Sequence, residues 1–488
     1  MNARWMVALA LAGCSAGDDE GVLAPDGAAA PDVAADVSRP PLDAPTYDVT
    51  PLDAARDADA AVAVDAARDV APDLTREQFC MGAGPPVVVG DRVTMSTRCI
   101  GRIAEAVFRH AICTCTDLGL AGYLQTDSFD SGAAMMTSGE HGGAVGINGG
   151  LSLVGVMRLG DALTMSGTTP LRLVGAHTVR GDLSLQGDLQ VVGTLDVERN
   201  ARVRGGLLAL GPFHVRGDLT TPPGSLPIGG ISVDGSRRTA PVDVAPPCAC
   251  RASEIFDVAG AVSEASTHND NAAAGFRSDV FNAVVGEARV ELPCGRFYVD
   301  RIAGLGAITL SVQGRTALFV GGDFDLGGYF NVSLGAAGEL DVFVAGSILG
   351  AGYLRMGRVS RPSKVRFYIG GDRGFTLAGV AGFQGNVYAP RAPVTIAGFN
   401  EMRGSLFAGR VATAGDLTIH YDRSVLRAGE DCPSEPPPAG GCTGCGAGVC
   451  RSTQACVSGA CGMCRSDADC CAPFVCEART GQCLPIPP

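Results

Sequence analysis

From about Gly142 onward, apolar and polar residues alternate in short runs, and glycine closes most of them. Leu183-Ser-Leu185, Leu189-Gln-Val191, Leu195-Asp-Val197 and Leu207-Leu-Ala-Leu210 are such runs. Alternation with period two marks a half-buried strand, and the glycines mark tight corners. Val179-Arg180-Gly181-Asp182-Leu183 recurs 36 residues later as Val215-Arg216-Gly217-Asp218-Leu219, with Val197 halfway, so the interval divides into two steps of 18. A strand-rich unit of that length buries its apolar side only by stacking on copies of itself. The pattern therefore predicts a β-solenoid block from about Gly142 to Gly235.

A second block is built on aromatic residues. Phe297-Tyr298-Val299, Leu318-Phe319-Val320, Val342-Phe343-Val344, Phe367-Tyr368-Ile369, Val387-Tyr388-Ala389 and Leu406-Phe407-Ala408 align, their central aromatics stepping by 21, 24, 25, 20 and 19 residues. Several are followed at once by glycine or proline. About six further turns are expected, stacking to roughly 30 Å at a strand spacing of about 4.8 Å. An antiparallel sandwich is the alternative, because its short strands and turns give a similar pattern. Two segments break the alternation with helical spacing: Ile103, Ala104, Ala106, Val107 and Ile112 before the first block, and Ile255, Phe256, Val258, Ala259 and Val262 before the second. A solenoid end exposes unpaired backbone, so helices here are expected as caps or flank supports. The fold class expected is mainly β: a right-handed parallel β-helix (solenoid) in two blocks with short capping helices, plus a small disulfide-rich tail.

Upstream the pattern vanishes. Arg4 precedes an apolar run from Trp5 to Ala12, the length of a secretory signal core and too short to span a bilayer. It ends in Leu11-Ala12-Gly13-Cys14, which resembles the lipobox of bacterial lipoproteins. That resemblance implies cleavage before Cys14 and lipidation of its thiol. Ser15, in place of an aspartate, implies by the same resemblance the outer membrane of a Gram-negative cell, on its periplasmic or extracellular face. Residues 15–75 are Ala, Asp, Pro and Val with almost no aromatic groups, a composition that cannot offset its ordering entropy. They read as a tether with a reach of roughly 40–45 Å. Their aspartates supply much of the net charge of -13, which therefore says little about partners.

The chain has 19 cysteines; setting Cys14 aside for lipid leaves an even number, as disulfides in an oxidising compartment require. Cys80, Cys99, Cys113, Cys115, Cys248, Cys250, Cys294 and Cys432 lie in or beside the blocks. Cys442, Cys445, Cys450, Cys456, Cys461, Cys464, Cys470, Cys471, Cys476 and Cys483 crowd a tail poor in large apolar residues. Cross-links are expected to hold that tail, at about 2–4 kcal/mol each. Cys442/Cys445 and Cys461/Cys464 have zinc-ligand spacing, but the tail lacks histidine and the export signal favours disulfides, so no metal or cofactor is expected. Cys464-Arg-Ser-Asp-Ala-Asp-Cys470-Cys471 resembles the core of small disulfide-knotted extracellular modules. Connectivity is not readable from spacing.

The stretch Gly385–Gly398, with Gly404–Ile419 and His420-Tyr421-Asp422, resembles the closing turns of right-handed β-helical adhesin and surface-lipoprotein domains of uncharacterised activity. The likeness covers about residues 250–426. The turn style is also similar to ice-binding-like β-helices and, in the first block, to bactofilin repeats. No repeated Thr-x-Thr row is present to face ice, and bactofilins lack this tail. The resemblance implies a fold and a surface context, not an activity.

Candidates for acid–base chemistry are Asp300, Asp323, Asp325, Asp372, His420 and Asp422, with Asp323 and Asp325 spaced to share one side of a strand. Aspartate beside glycine is also ordinary turn capping, so no catalytic residue is assigned. Arg180-Gly181-Asp182 and Arg216-Gly217-Asp218 spell an integrin-type tripeptide but follow from strand-turn-strand chemistry. The acidic balance and the lack of a basic aromatic surface disfavour nucleic acid. The domain reading is 1–14 signal and lipidated cysteine, 15–75 linker, 76–245 first block, 246–431 second block, 432–441 linker and 442–488 cysteine-rich module. The function expected is a non-catalytic envelope lipoprotein, held to the membrane by lipid, that binds envelope polysaccharide or protein. A β-helical polysaccharide lyase or hydrolase is the first alternative, and a self-associating filament or scaffold the second.

Overall fold

The computed structural model describes residues 75–91, 96–133, 141–349, 361–378, 382–398 and 400–432, with 455–457, 460–464, 474–477 and 482–485 of the tail. Cys14, the acidic linker and most of the cysteine-rich tail lie outside the described residues. The tail strands that are described form two antiparallel hairpins, Ala455–Val457 with Ala460–Gly462 and Phe474–Glu477 with Gln482–Pro485.

The body is a parallel β-solenoid of about 13 turns. Each turn has three short strands on three faces, and each strand pairs in parallel with its counterpart one turn away. Inward positions carry Leu, Val, Ile, Met and Phe, as in the column Leu118, Leu151, Leu171, Leu189 and Leu207, all nearly inaccessible to water. Stacked rows of this kind exclude water continuously along the axis, which is what makes a turn that is unstable alone stable in the stack.

The two blocks expected from the sequence form one solenoid, in which the end of the second block stacks on the start of the first. The last long strand of the second block, Asn400–Asp422, pairs in parallel with Ile112–Thr114 and Leu118–Phe129, the opening strands of the first. The register runs unbroken from Val411↔Leu118 to Asp422↔Phe129. A column of glycines at one bend crosses the junction without interruption: Gly398, Gly415, Gly122, Gly155, Gly175, Gly193 and Gly211. A Cβ on any of the last six would crowd the carbonyl oxygen of the glycine one turn below. Only glycine permits this approach, so the bend is written into the sequence at every turn.

Because the first block ends far from where the second begins, residues 240–286 must run back along the outside. Val244 N–H donates to Gln186 Oε1 (3.0 Å), Asn148 and Cys248 exchange hydrogen bonds, and Phe256 N–H donates to the Tyr388 hydroxyl (3.1 Å). Disulfides Cys113–Cys248 and Cys115–Cys250 pin this return segment beside the junction. Cys80–Cys294 and Cys99–Cys432 tie the segment before the first block to the second block and its exit. The eight cysteines in and beside the blocks thus pair as disulfides between chain segments distant in sequence.

The helices Ile100–Val107 and Val258–Ala265 lie along the flank and not over an end. The reason is the aromatic row. Tyr298, Phe319, Phe343, Tyr368, Tyr388 and Phe407 are in register on successive turns, pointing outward, while their neighbours point into the solenoid. Phe343 and Tyr368 stack at 4.5 Å between ring centroids, and Phe319 stacks on Phe343 at 5.0 Å. Phe256 and Phe108 close over this row, with Phe256 edge-on to Phe343 and Tyr368. An outward apolar column needs a cover, and the flank segments supply it.

One inward position departs from the apolar rule. His177 stands between Met157 and Leu195, 2 % exposed, with no hydrogen-bond partner of good geometry for either ring nitrogen among the described residues. Burial lowers its pKa, and a pull from the Val174 backbone in the other direction does not offset it. The sign follows directly: below the ordinary histidine pKa the unfolded chain takes a proton that the folded chain refuses. Stability from this group is complete at higher pH and falls, as pH drops below about 6.5, by about 1.4 kcal/mol per unit until the folded pKa is reached. His177→Leu should therefore raise stability by about 1–3 kcal/mol and flatten the acid side of the stability profile, read by denaturant unfolding between pH 5 and 8.

Candidate functional site

The structure scatters the aspartates that the sequence offered as acid–base candidates. Asp300 accepts from Ser278 and Asn282 across a turn. Asp323 precedes the strand Phe324–Leu326, where it accepts from Ser347 N–H (2.8 Å) and pairs with Arg373 (2.8 Å). Asp325 is exposed on that strand, and Asp372 is exposed on a turn. Asp422 is fully buried and accepts from Ser131 N–H, Ser131 Oγ, Ser363 N–H and Ser424 N–H. It knots three chain segments together. His420 has Asp127 at 2.7 Å from Nδ1 and Glu401 at 3.4 Å from Nε2, so both ring nitrogens face carboxylates.

The two Arg-Gly-Asp tripeptides are absorbed by the repeat. Asp182 Oδ1 accepts the Asn200 backbone N–H (3.0 Å), Asn200 Oδ1 accepts Asp218 N–H (3.0 Å), and Asp218 Oδ1 accepts Ser236 N–H (2.8 Å). Each side chain caps the next turn, 18 residues on. Asp218 also pairs with Arg238, and Arg216 with Asp196.

What the solenoid offers to the outside is a polar flank. On one face of the first block the outward column reads Thr418, Gln125, Arg158, Thr178, Asp196, His214 and Ser232. Its upper part is closed by axial polar contacts: His214 lies 3.5 Å from Asp196 and 3.0 Å from Asp234, and Arg216 pairs with Asp196 at 3.2 Å. Its lower part opens into a cleft of about 360 Å³ at the level of the block junction. Gln125, Thr126, Asp127, Arg158, Thr178 and Arg180 line it. The Arg158 guanidinium lies 5.8 Å from the Tyr123 ring centroid, and Arg180 approaches Glu198 at 3.9 Å. None of these cleft residues was singled out as a site by sequence. Asp127 and His420 are 293 positions apart and meet only because the blocks stack in reverse order.

Among the described residues no group of three His, Cys, Asp or Glu side chains is placed to hold a metal ion, and no helix is long and apolar enough to cross a membrane.

Fold and flank together define a parallel β-solenoid protein, its return segment pinned by disulfides. Residues 251–427 match the family model described as a domain of unknown function (DUF7305). No curated protein and no solved structure matches the chain. The matched region begins one residue after Cys250 and ends on the short helix Arg423–Arg427, so it contains the flank helix and the second block. The first block lies outside it and stacks on its last turn.

Proposed function

We propose that this chain is a non-catalytic envelope lipoprotein that displays the outer flank of its β-solenoid to envelope polysaccharide. The observation that carries this reading is the contrast between ends blunted against stacking and an open side. At one end, Asp270 and Asn271 occupy the hydrogen-bonding edge of the strand Gly295–Val299: Asn271 exchanges bonds of 2.7 and 2.9 Å with the Tyr298 backbone, as a neighbouring strand would. At the other, Arg237 stands in register over the buried Leu219 on an exposed terminal strand and donates to Ile231 C=O (2.6 Å). A charge in the core column of a terminal strand blunts edge-to-edge stacking. Both devices work against filament growth and leave the sides as the usable surface. The engaged state of His420, Asp323 and Asp422 weighs against the lyase or hydrolase alternative.

Replacing the blunting charge should reveal it. Arg237→Leu restores the apolar column at an exposed end and should produce concentration-dependent association in sedimentation velocity, where the parent chain stays constant in size. For the anchor, Cys14→Ser should move the protein from the membrane to the soluble fraction; persistent membrane association of that variant would sink the lipid reading. The function itself is tested by passing envelope extract over the immobilised, oxidised chain. Retained polysaccharide supports the proposal, and retention of protein alone overturns it in favour of an assembly partner.

A further inference from the structure

We infer that the exposed aliphatic row beside the glycine bend of the first block is a dimer interface, and that its occupant is a second copy of this chain. Val154, Val174, Val192 and Leu210 stand immediately before Gly155, Gly175, Gly193 and Gly211, one per turn, on the outside of the sheet. Val154 and Leu210 are 70 % exposed, Val174 50 % and Val192 45 %. Ile228, in register over Leu208 at the upper end, is 61 % exposed. The bend itself does not call for large side chains here. One block lower the same column holds Ala397, Ala414 and Ala121, and the strands pair through it without interruption. The second block buries its outward apolar column under Phe256 and Phe108. The return segment, held at Asn148 and Gln186, leaves the valine row open to solvent.

These five side chains present roughly 500 Å² of apolar surface in a strip about 20 Å long, at a turn spacing of about 4.8 Å. An interface of standard size takes about 800 Å² from each partner, and between copies of one chain about two-thirds of it is apolar. With the polar margin of Ser152, Arg172 and Gln190 beside it, the strip meets both figures. Arg172 is the charge in that margin, and it already donates to Gln190 Oε1 (3.2 Å), so the strip itself holds no charge to desolvate. A row of like residues at equal steps is complementary to itself. A two-fold axis crossing between Val174 and Val192 sets Val154 of one copy against Leu210 of the other, and it closes the association at two. The row lies across the bend from the polar column of Gln125, Arg158, Thr178 and Asp196, so a dimer leaves that flank free.

The test is sedimentation velocity of the full, oxidised chain carrying Cys14→Ser, which keeps lipid out of the measurement. The chain should sediment as two copies, constant in size across the micromolar range. Val174→Asp/Val192→Asp puts unpaired carboxylates into the contact from both sides and should raise the dissociation constant about a hundredfold or more, giving single copies with the parent's circular dichroism spectrum. Leu210→Asp, at the end of the row, should weaken the dimer about tenfold or more. Arg202→Glu, exposed on another face, should leave it intact. A parent that sediments as one copy overturns the proposal, as does a dimer that survives Val174→Asp/Val192→Asp. If the double variant does not fold, Leu210→Asp decides in its place, and a dimer that it leaves unweakened overturns the location. A single-copy parent that floats with phosphatidylethanolamine–phosphatidylglycerol vesicles, and loses that in Leu210→Asp, assigns the row to lipid and overturns the second copy.

Discussion

Removing either bridge of the pair Cys113–Cys248 and Cys115–Cys250 should cost about 2 kcal/mol, and removing both should cost about 7 kcal/mol. The two bridges are two residues apart on each chain segment and each spans 135 positions. Whichever forms first closes a loop of many tens of residues, even with Cys80–Cys294 already in place, and removes nearly 5 kcal/mol of unfolded-state entropy. The second then closes only a ring of a few residues. Loop entropy grows with the logarithm of length, so the first closure dominates regardless of order. Paired Cys→Ala replacements, unfolded in denaturant under oxidising conditions, should therefore be clearly non-additive. Single losses that sum to the double loss would mean that the return segment is held by its packing alone.

Arg366→Ala should destabilise the protein by about 3–5 kcal/mol. Arg366 is 1 % exposed, with Asp341 bound bidentately at 2.6 and 2.7 Å, Glu339 on the same guanidinium, and Ser363 C=O at 3.1 Å. Lys364 and Arg315 approach Glu339 from outside. Burial alone would push the Glu339 carboxyl up, but Arg366 and Lys364 outweigh it and hold its pKa at about 2. Burial also opposes the charge on Arg366, and Asp341 and Glu339 overcome it, keeping its pKa well above the ordinary value. Taking away the arginine leaves two carboxylates in a dry site beneath the segment that carries Val87 and Ile100. One then binds a proton, so the penalty should shrink as pH falls toward 5. Arg366→Met with Asp341→Leu and Glu339→Leu removes all the buried charge together and should recover most of the loss. A single-variant cost under 1 kcal/mol would mean that water reaches the network.

The aromatic row shows how far local pattern reaches. Tyr298, Phe319, Phe343, Tyr368, Tyr388 and Phe407 were aligned from their spacing, and the structure places them in one register. Period-two alternation states that Tyr368 faces opposite to Phe367, yet it does not state which side faces water. Here both sides are buried, one by the solenoid interior and one by Phe256 and Phe108. The helical spacing around Ile103 and Val258 was equally visible, but whether those helices cap an end or line a flank depends on which surface needs cover.

Strand, corner and turn were thus determined by the sequence itself, because alternation, glycine at the bends and the 18-residue step act between residues close in the chain or one turn apart. The even cysteine count announced cross-links for the same local reason. The order of the blocks, the disulfide partners and the cleft were decided only by tertiary structure. A parallel strand edge accepts any compatible neighbour, and nothing local distinguishes Asn400–Asp422 stacking below Ile112–Thr114 from the opposite order. That choice is made by the summed burial of the continuous core and by the return segment that reaches Cys113 and Cys115. Only after it is made does His420 meet Asp127, on the surface that Arg158 and Arg180 share.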